Sequence, residues 1–499
     1  MIGRSFTPSP PLEMLLPLLL AVPLALVIVV VKPTVTLGIV LGVVLVAMTF
    51  VAPLAGLYVL VFSMLLGPEV LMGGMGSGTT LGRGVTLRLD DFLLVLVGLA
   101  WLAKVALSPQ KVPFTKTILN KPIMLYVAAC VLATLIGVLT QRVRPSGGFF
   151  FLLKYYEYFF LYFMTINLVT TQKQIRSLVI CSLVTCFLVS LYALSQIPSG
   201  VRVSAPFEGA DGEPNTLGGY LVFMMAIMTG FLITPQSVSK KLPLVGLMVL
   251  AGIALQATLS RASFLAAGVM ALVILIFVSR RSPFLLALVL STIVAAPFWM
   301  PTSVTQRVMY TFFQPKEEGQ IQVGRLHVDT STSDRLRSWQ QSLEFFRRSP
   351  IWGMGVTGGP FMDATYPRVL IETGLLGIVA FVALLWMVFR TSMTGYLHTT
   401  DPYVRGMTLG FLFGFLGLLI HAIGSNTFII VRIMEPFWLY AALVVKGYLL
   451  DQQKQQDGTT PPQLEGVPVD RFPIPMPGQS VSRARGARLP VGAERSSPL

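Results

Sequence analysis

An all-α polytopic membrane protein, with about fourteen transmembrane helices (12–14) and one long extracytoplasmic helical loop, is the fold class this 499-residue sequence predicts. Three observations carry it. Hydrophobic residues make up 54% of the chain and charged residues 12%, against about 25% charged in soluble domains. The apolar residues gather into uncharged runs long enough to cross a bilayer. The cations then sort across those runs, with lysine gathered on one side and the opposite side basic almost entirely through arginine. An ordinary soluble domain is excluded.

The runs lie at 13–31, 34–51, 53–68, 89–107, 122–140, 149–169, 177–197, 216–234, 243–260, 262–279, 283–300, 369–389, 404–424 and 430–449. The first follows Arg4 and Glu13 and is uncharged for about 20 residues, longer than the 7–15 of a signal-peptide core, so it is taken as a retained span. The charge-free stretch from Thr34 to Leu66 fits one tilted helix or two, with Pro53 favouring a break. Residues 1–87 are N-terminal spans, 88–450 the transmembrane core including a loop at 301–368, and 451–499 a Pro/Gly/Ser-rich tail expected to be disordered and cytoplasmic. No repeat of fixed period is visible. Cys130, Cys181 and Cys186 lie inside apolar runs and offer neither a disulfide framework nor metal-ligand spacing, so no metal and no cofactor is expected.

The formal charge of +15 points to anionic lipids, phosphates or acidic substrates. Nucleic acid is not expected as a partner, because the cations sit mostly in short loops between spans. Lys104, Lys111, Lys116, Lys121, Lys173, Lys240, Lys241, Lys446 and Lys454 share one side, which the positive-inside rule makes cytoplasmic, with both termini. The other side carries Arg83, Arg88, Arg142, Arg144, Arg202, Arg261, Arg307, Arg325, Arg335, Arg337, Arg347, Arg348 and Arg368 but few lysines. Planar, bidentate recognition of phosphate or carboxylate is a reason to choose arginine there; snorkelling to headgroups is the alternative.

Within the long loop, SDRLRSWQQSLEFFRRSP predicts one amphipathic helix capped by Ser333 or Asp334, with Leu336, Trp339, Leu343 and Phe346 at helical spacing. Arg335 and Arg337 sit in its first turn, against the helix dipole, so an anionic partner is expected. IWGMGVTGGP follows as a glycine-rich turn that brings backbone close to something and offers free N–H groups. FMDATYPRVLIETGLLGIVAF then re-enters the membrane, with Thr365 or Asp363 as cap and Pro367 in the first turn.

The ordered set DRLRSW, FFRRSPIWGMGVTGG and YPRVLIETGLLGIVAF resembles the core of the O-antigen ligase and polymerase superfamily, the Wzy-type membrane glycosyltransferases. LSRASFLA at 259–266 is similar to that family's Ser-Arg motif, FEGADGEPNTLGGYL at 207–221 to its Pro-Asn loop, and LKYYEYFFLYF at 153–163 to its tyrosine-rich span. The resemblance implies a metal-independent, multi-spanning (GT-C-like) glycosyltransferase acting at the extracytoplasmic face of the bacterial inner membrane. It implies an undecaprenyl-diphosphate-linked glycan as donor and acceptor, and a chain-length regulator as a further partner to look for. Ligase-like members carry His-Asn nine residues before the motif's glutamate. Counted back from Glu372, Asp363 and Ala364 stand there, which departs from the ligase pattern and is similar to polymerase-like members.

Displacing a diphosphate from an anomeric carbon requires charge stabilisation on the departing oxygens and removal of a proton from the attacking hydroxyl. Arg261, at a helix junction, and Arg335, matching the loop-helix arginine, are the catalytic candidates for the first, with Arg337, Arg202 and Arg368 as substrate-binding arginines. Snorkelling or a solvated helix face is the competing role for each. Asp363 is the candidate base, with an N-cap as its structural alternative. Asn215 in the Pro-Asn loop, Tyr366 and Trp339 complete the substrate-binding candidates, the two aromatic residues either stacking on sugar or anchoring at the interface. His327 reads as a surface histidine, Glu372 as structural and Glu208 as a further possibility, while Lys154–Glu157 and Arg432–Glu435 have the spacing of helix-packing pairs. The functions to be distinguished are a lipid-linked polysaccharide polymerase, an O-antigen ligase or protein O-oligosaccharyltransferase, and a transporter of lipid-linked glycan. Half-helix breaks and an internal repeat would mark the last, and none is visible.

Overall fold

The computed structural model describes residues 33–71, 86–107, 114–208, 212–235, 238–279, 322–323, 326–327, 330–360 and 362–458. The helices in order are α1 (Pro33–Val51), α2 (Pro53–Leu66), α3 (Leu89–Leu107), α4 (Asn120–Leu139), α5 (Pro145–Leu168), α6 (Gln172–Gln196), α7 (Pro214–Ile233), α8 (Val238–Ala257), α9 (Arg261–Ser279), α10 (Thr330–Arg348), α11 (Thr365–His398), α12 (Pro402–His421) and α13 (Val431–Gln456). Two short antiparallel pairs accompany them: β1 (Glu69–Leu71) with β2 (Thr86–Arg88), and β3 (Gln322–Val323) with β4 (Leu326–His327). The fold is all-helical. Among the described residues seven helices are long and apolar enough to cross a membrane (α4, α6, α7, α9, α11, α12 and α13), and three shorter ones, in α1, α2 and α8, are equally apolar. The expected runs at 13–31 and 283–300, and the tail beyond 458, lie outside the described residues.

Local chemistry sets the boundaries. Ala52 leaves the helical region (φ −137°, ψ 85°) and Pro53 begins α2, so 34–66 is two helices. Thr171 and Gln174 form a reciprocal capping box at α6, and the Asp401 carboxylate accepts from the Tyr403 (2.8 Å) and Val404 (3.4 Å) amides ahead of α12. Gly406, Gly410 and Gly414 line one face of α12 against α7. A Cβ on Gly410 would stand 2.7 Å from the Ile227 Cα, so the two backbones meet as small-residue membrane interfaces allow. Aromatic residues fill the centre: Phe437 of α13 packs on Phe411 and Phe415 of α12, and Trp438 on Phe159 and Tyr162 of α5.

Hydrogen bonds define the two ends of the bundle. At one, Thr115 N–H donates to Asn167 Oδ1 and Thr399 Oγ1 to Asp451 Oδ2, both at 2.8 Å. Lys104, Lys116, Lys121, Lys173, Lys241, Lys446 and Lys454 belong to this end. At the other lie the α4–α5, α6–α7 and α8–α9 turns and the starts of α11 and α13, with Arg88, Arg142, Arg144, Arg202, Arg261, Arg368 and Arg432. Most of the described lysines thus gather at one end of the packed bundle, which also holds Arg176, Arg390 and Arg405, whereas Lys154 pairs with Asp91 at the start of α3, toward the other end.

Two expectations in the loop need correction. Helix α10 begins at Thr330, so Ser333 and Asp334 lie inside its first turns and do not cap it. Its packed side is also different: Trp339 and Leu343 are exposed (38% and 56%), whereas Ser342 is buried and Phe345 packs on Met354, Met362 and Ile371. The spacing identified the helix, but Phe345 reaches the bundle while the Trp339–Leu343 stripe does not.

Candidate active site at the arginine-rich end

Helix α11 contains a break at Gly374 (φ 63°, ψ −160°), a conformation only glycine adopts readily. The break frees two carbonyls and two amides, and the turn at 349–358 takes all four. Met354 N–H donates to Ile371 O (2.8 Å) and Gly355 N–H to Glu372 O (2.9 Å), while Leu375 N–H reaches Pro350 O (2.8 Å) and Leu376 N–H reaches Ile351 O (3.3 Å). Gly353 (φ 74°) completes the clasp, since a Cβ there would lie 2.6 Å from Glu372 backbone atoms. The glycine-rich turn therefore has a partner, but the partner is α11. Six of its amides are engaged internally: besides Met354 and Gly355, Gly353, Val356, Thr357 and Gly358 donate to Ser349 O, Thr134 Oγ1, Glu372 Oε1 and Gly355 O.

Glu372 is buried, facing the bundle as its position suggests. It accepts from Tyr155 (2.9 Å) and from Arg368 Nε (3.0 Å), which places the tyrosine-rich α5 against the start of α11. Arg368, expected to bind substrate, is buried in this pair. The Tyr366 hydroxyl donates to Leu419 O at 2.7 Å, which fixes the ring between α11 and α12. Asp363 is exposed just ahead of α11. Ala364 is the N-cap and no side chain caps the helix, so neither Asp363 nor Thr365 has that role; Thr365 Oγ1 donates instead to Ser425 O (3.0 Å).

The other candidates meet at the α8–α9 corner. Leu259 takes a left-handed turn (φ 49°), Ser260 Oγ accepts from the Ser263 amide (3.3 Å), and Arg261 opens α9, half-buried. Arg202 crosses to this corner, donating from Nε to Thr258 O (3.0 Å) and from Nη2 to Leu259 O (3.5 Å), where it satisfies helix-end carbonyls. Asn215, in the first turn of α7, accepts from Ser260 Oγ at 2.6 Å. The corner thus joins the Ser-Arg and Pro-Asn segments. On α10, Arg337 and Trp339 are exposed; the side chains of Arg335 and His327 lie outside the described residues.

Sequence inspection missed two features. A buried hydroxyl–imidazole chain runs from Asn215 through Ser260, Ser263 and His421 to Thr427, with 2.8 Å between the two serine hydroxyls, 3.1 Å from Ser263 Oγ to His421 Nε2 and 2.7 Å from His421 Nδ1 to Thr427 Oγ1. His421 is fully buried. Its sequence signal was a lone histidine at the end of an apolar run. The second is the extent of a buried charge cluster around the expected Lys154–Glu157 pair. Arg88 pairs with Asp90 (2.7 Å) and faces Glu435 (4.0 Å), and Lys154 bridges Asp91 (2.5 Å) and Glu157 (3.4 Å). Arg432 reaches Glu208 (3.8 Å) and the carbonyls of Leu65 and Pro206. Arg432 thereby ties the 200–208 segment, which carries Arg202, to the bundle. Among the described residues no group of His, Cys, Asp and Glu is arranged to hold a metal ion.

No curated protein matches the chain. Residues 246–382, which run from within α8 through the Arg261 corner, the clasp and the first half of α11, match the family model described as O-antigen ligase. The chain therefore carries a domain of the O-antigen ligase and polymerase superfamily, set in an all-helical, membrane-spanning type of fold.

Proposed function

We propose that the protein polymerises undecaprenyl-diphosphate-linked oligosaccharide repeat units at the extracytoplasmic face of the bacterial inner membrane, building O-antigen or exopolysaccharide. The lysine-bearing end of the bundle faces the cytoplasm, with both termini, and the arginine-bearing end faces outward. Asp363 is the observation that carries the assignment. It stands exposed at the position where ligase-like members have histidine, at the arginine-bearing end of the bundle and within the matched domain. Arg261 and Arg335 stabilise the departing diphosphate, Arg337 and Arg202 hold it, and Asp363 accepts the proton of the attacking hydroxyl. Arg368 acts from behind, through Glu372. Asn215 and Trp339 contact the glycan, and Tyr366 shapes the wall between α11 and α12. No metal or cofactor enters this scheme, and a chain-length regulator is the partner to seek.

The family description favours a second assignment, transfer of the finished glycan to another acceptor by an O-antigen ligase or protein O-oligosaccharyltransferase. Deleting the gene and complementing with Arg261→Ala, Arg335→Ala and Asp363→Ala separates the two. Loss of polymer with single lipid-linked units retained supports the polymerase. Accumulation of full-length lipid-linked polymer refutes it and assigns a ligase, and unchanged glycan in all three variants removes the site.

A further inference from the structure

We propose that buried His421 is a positioning residue that makes Asn215 present its amide NH2, rather than its carbonyl, to the diphosphate of the lipid-linked donor. The proposal rests on the functional assignment above and follows from counting protons along the chain. Each hydroxyl has one proton to donate. Ser260 gives its proton to Asn215 Oδ1 and Ser263 gives its own to Ser260 Oγ, so the contact between Ser263 Oγ and His421 Nε2 requires the proton on Nε2. Thr427 Oγ1 has two acceptors within reach, His421 Nδ1 at 2.7 Å and Ser425 O at 3.5 Å. The shorter contact is the better hydrogen bond, so Thr427 donates to Nδ1 and the ring stays in its Nε2–H form.

The result is a chain polarised in one direction, from Thr427 through His421, Ser263 and Ser260 to Asn215. An asparagine side chain looks nearly the same when flipped by 180°, so half-buried Asn215 has little of its own to select one orientation. Four groups donating in sequence select it. With its carbonyl engaged, the side chain has two N–H donors left, which no described residue accepts. A diphosphate offers acceptors alone, and a flipped amide would set a carbonyl dipole against it. The same chain holds Ser260 at the start of α9, immediately before Arg261.

The test is binding of undecaprenyl diphosphate to the purified full-length protein in nanodiscs, measured for single and paired variants. His421→Leu is expected to weaken binding about tenfold, and Asn215→Ala by a similar factor. The double variant is expected to bind no more weakly than Asn215→Ala alone, because His421 acts through Asn215. His421→Gln keeps an N–H donor toward Ser263 and is expected to stay within about threefold of wild type, while Asn215→Asp, with an oxygen in place of the NH2, should bind more weakly than Asn215→Ala. If His421→Leu does not fold, Ser263→Ala breaks the chain at its middle with a single-atom deletion and carries the same expectation. Two additive losses, or His421→Gln as damaged as His421→Leu, would overturn the proposal. Absence of binding by wild type would overturn the functional assignment and this inference with it, whereas wild-type binding indifferent to Asn215→Ala would overturn this inference alone.

Discussion

Substituting Gly374 by alanine attacks the clasp between the glycine-rich turn and α11. Two effects add. At φ 63° and ψ −160° an alanine backbone is strained by about 1–3 kcal/mol. The new Cβ would also lie 2.5 Å from the Gly353 nitrogen and 2.6 Å from the Ile351 carbonyl oxygen, both backbone atoms with no rotamer to escape into. Relieving that clash means separating the turn from the helix and losing the four bonds at 2.8–3.3 Å between them, each about 0.5–1.5 kcal/mol net. The sum is several kcal/mol, on the order of 4, which in a protein stable by about 5–15 kcal/mol is a large loss. Thermal unfolding of detergent-purified protein, followed by tryptophan fluorescence, should show a markedly lower midpoint and loss of the proposed polymerising activity. Gly268→Ala is the control, since nothing lies within 4 Å of its added methyl and a helical alanine gains about 0.5–1 kcal/mol over glycine. Equal midpoints for Gly374→Ala and Gly268→Ala would refute the reasoning.

Arg432→Met should cost about 3–5 kcal/mol by leaving Glu208 buried without its cation, and should raise protease sensitivity near residues 200–208 in limited proteolysis. Tyr155→Phe removes a 2.9 Å bond to a charged acceptor, and a destabilisation of about 1.5–3 kcal/mol is expected by thermal unfolding. Asp401→Ala removes the α12 cap at the lysine-bearing end; about 1 kcal/mol should be lost with the glycan product unchanged.

Much of the scaffold was legible because membrane helices announce themselves through uninterrupted apolar length. Pro53 marked the break between two helices, and Lys154 with Glu157 formed the expected pair. Polar function was harder to read, since a sequence lists groups but not what they face. The turn at 351–360 was expected to offer free N–H groups because its glycines and amides were visible while acceptors such as the carbonyls released by a break at Gly374 were not. Arg202 looked like a ligand-binding cation, and it also caps carbonyls at Thr258 and Leu259, 56 and 57 residues away. His421 left no motif at all, because its partners Ser263 and Thr427 belong to different segments. For the α10 stripe, helical spacing identified the helix but not which of its neighbouring faces meets the bundle.

The buried charge cluster has a consequence for how the chain is made. Arg88 and Asp90 leave the ribosome with α3, whereas Glu435 and Arg432 come with α13, more than three hundred residues later. Until α13 arrives, Glu208 is without its contact to Arg432, and Arg88 faces one carboxylate fewer than in the finished bundle. Early helices must therefore remain near water, or near the insertion machinery, with ionised groups that lipid does not tolerate. A nascent chain that ends before α13 lacks these contacts, so the buried charge cluster is completed only by the last described helix.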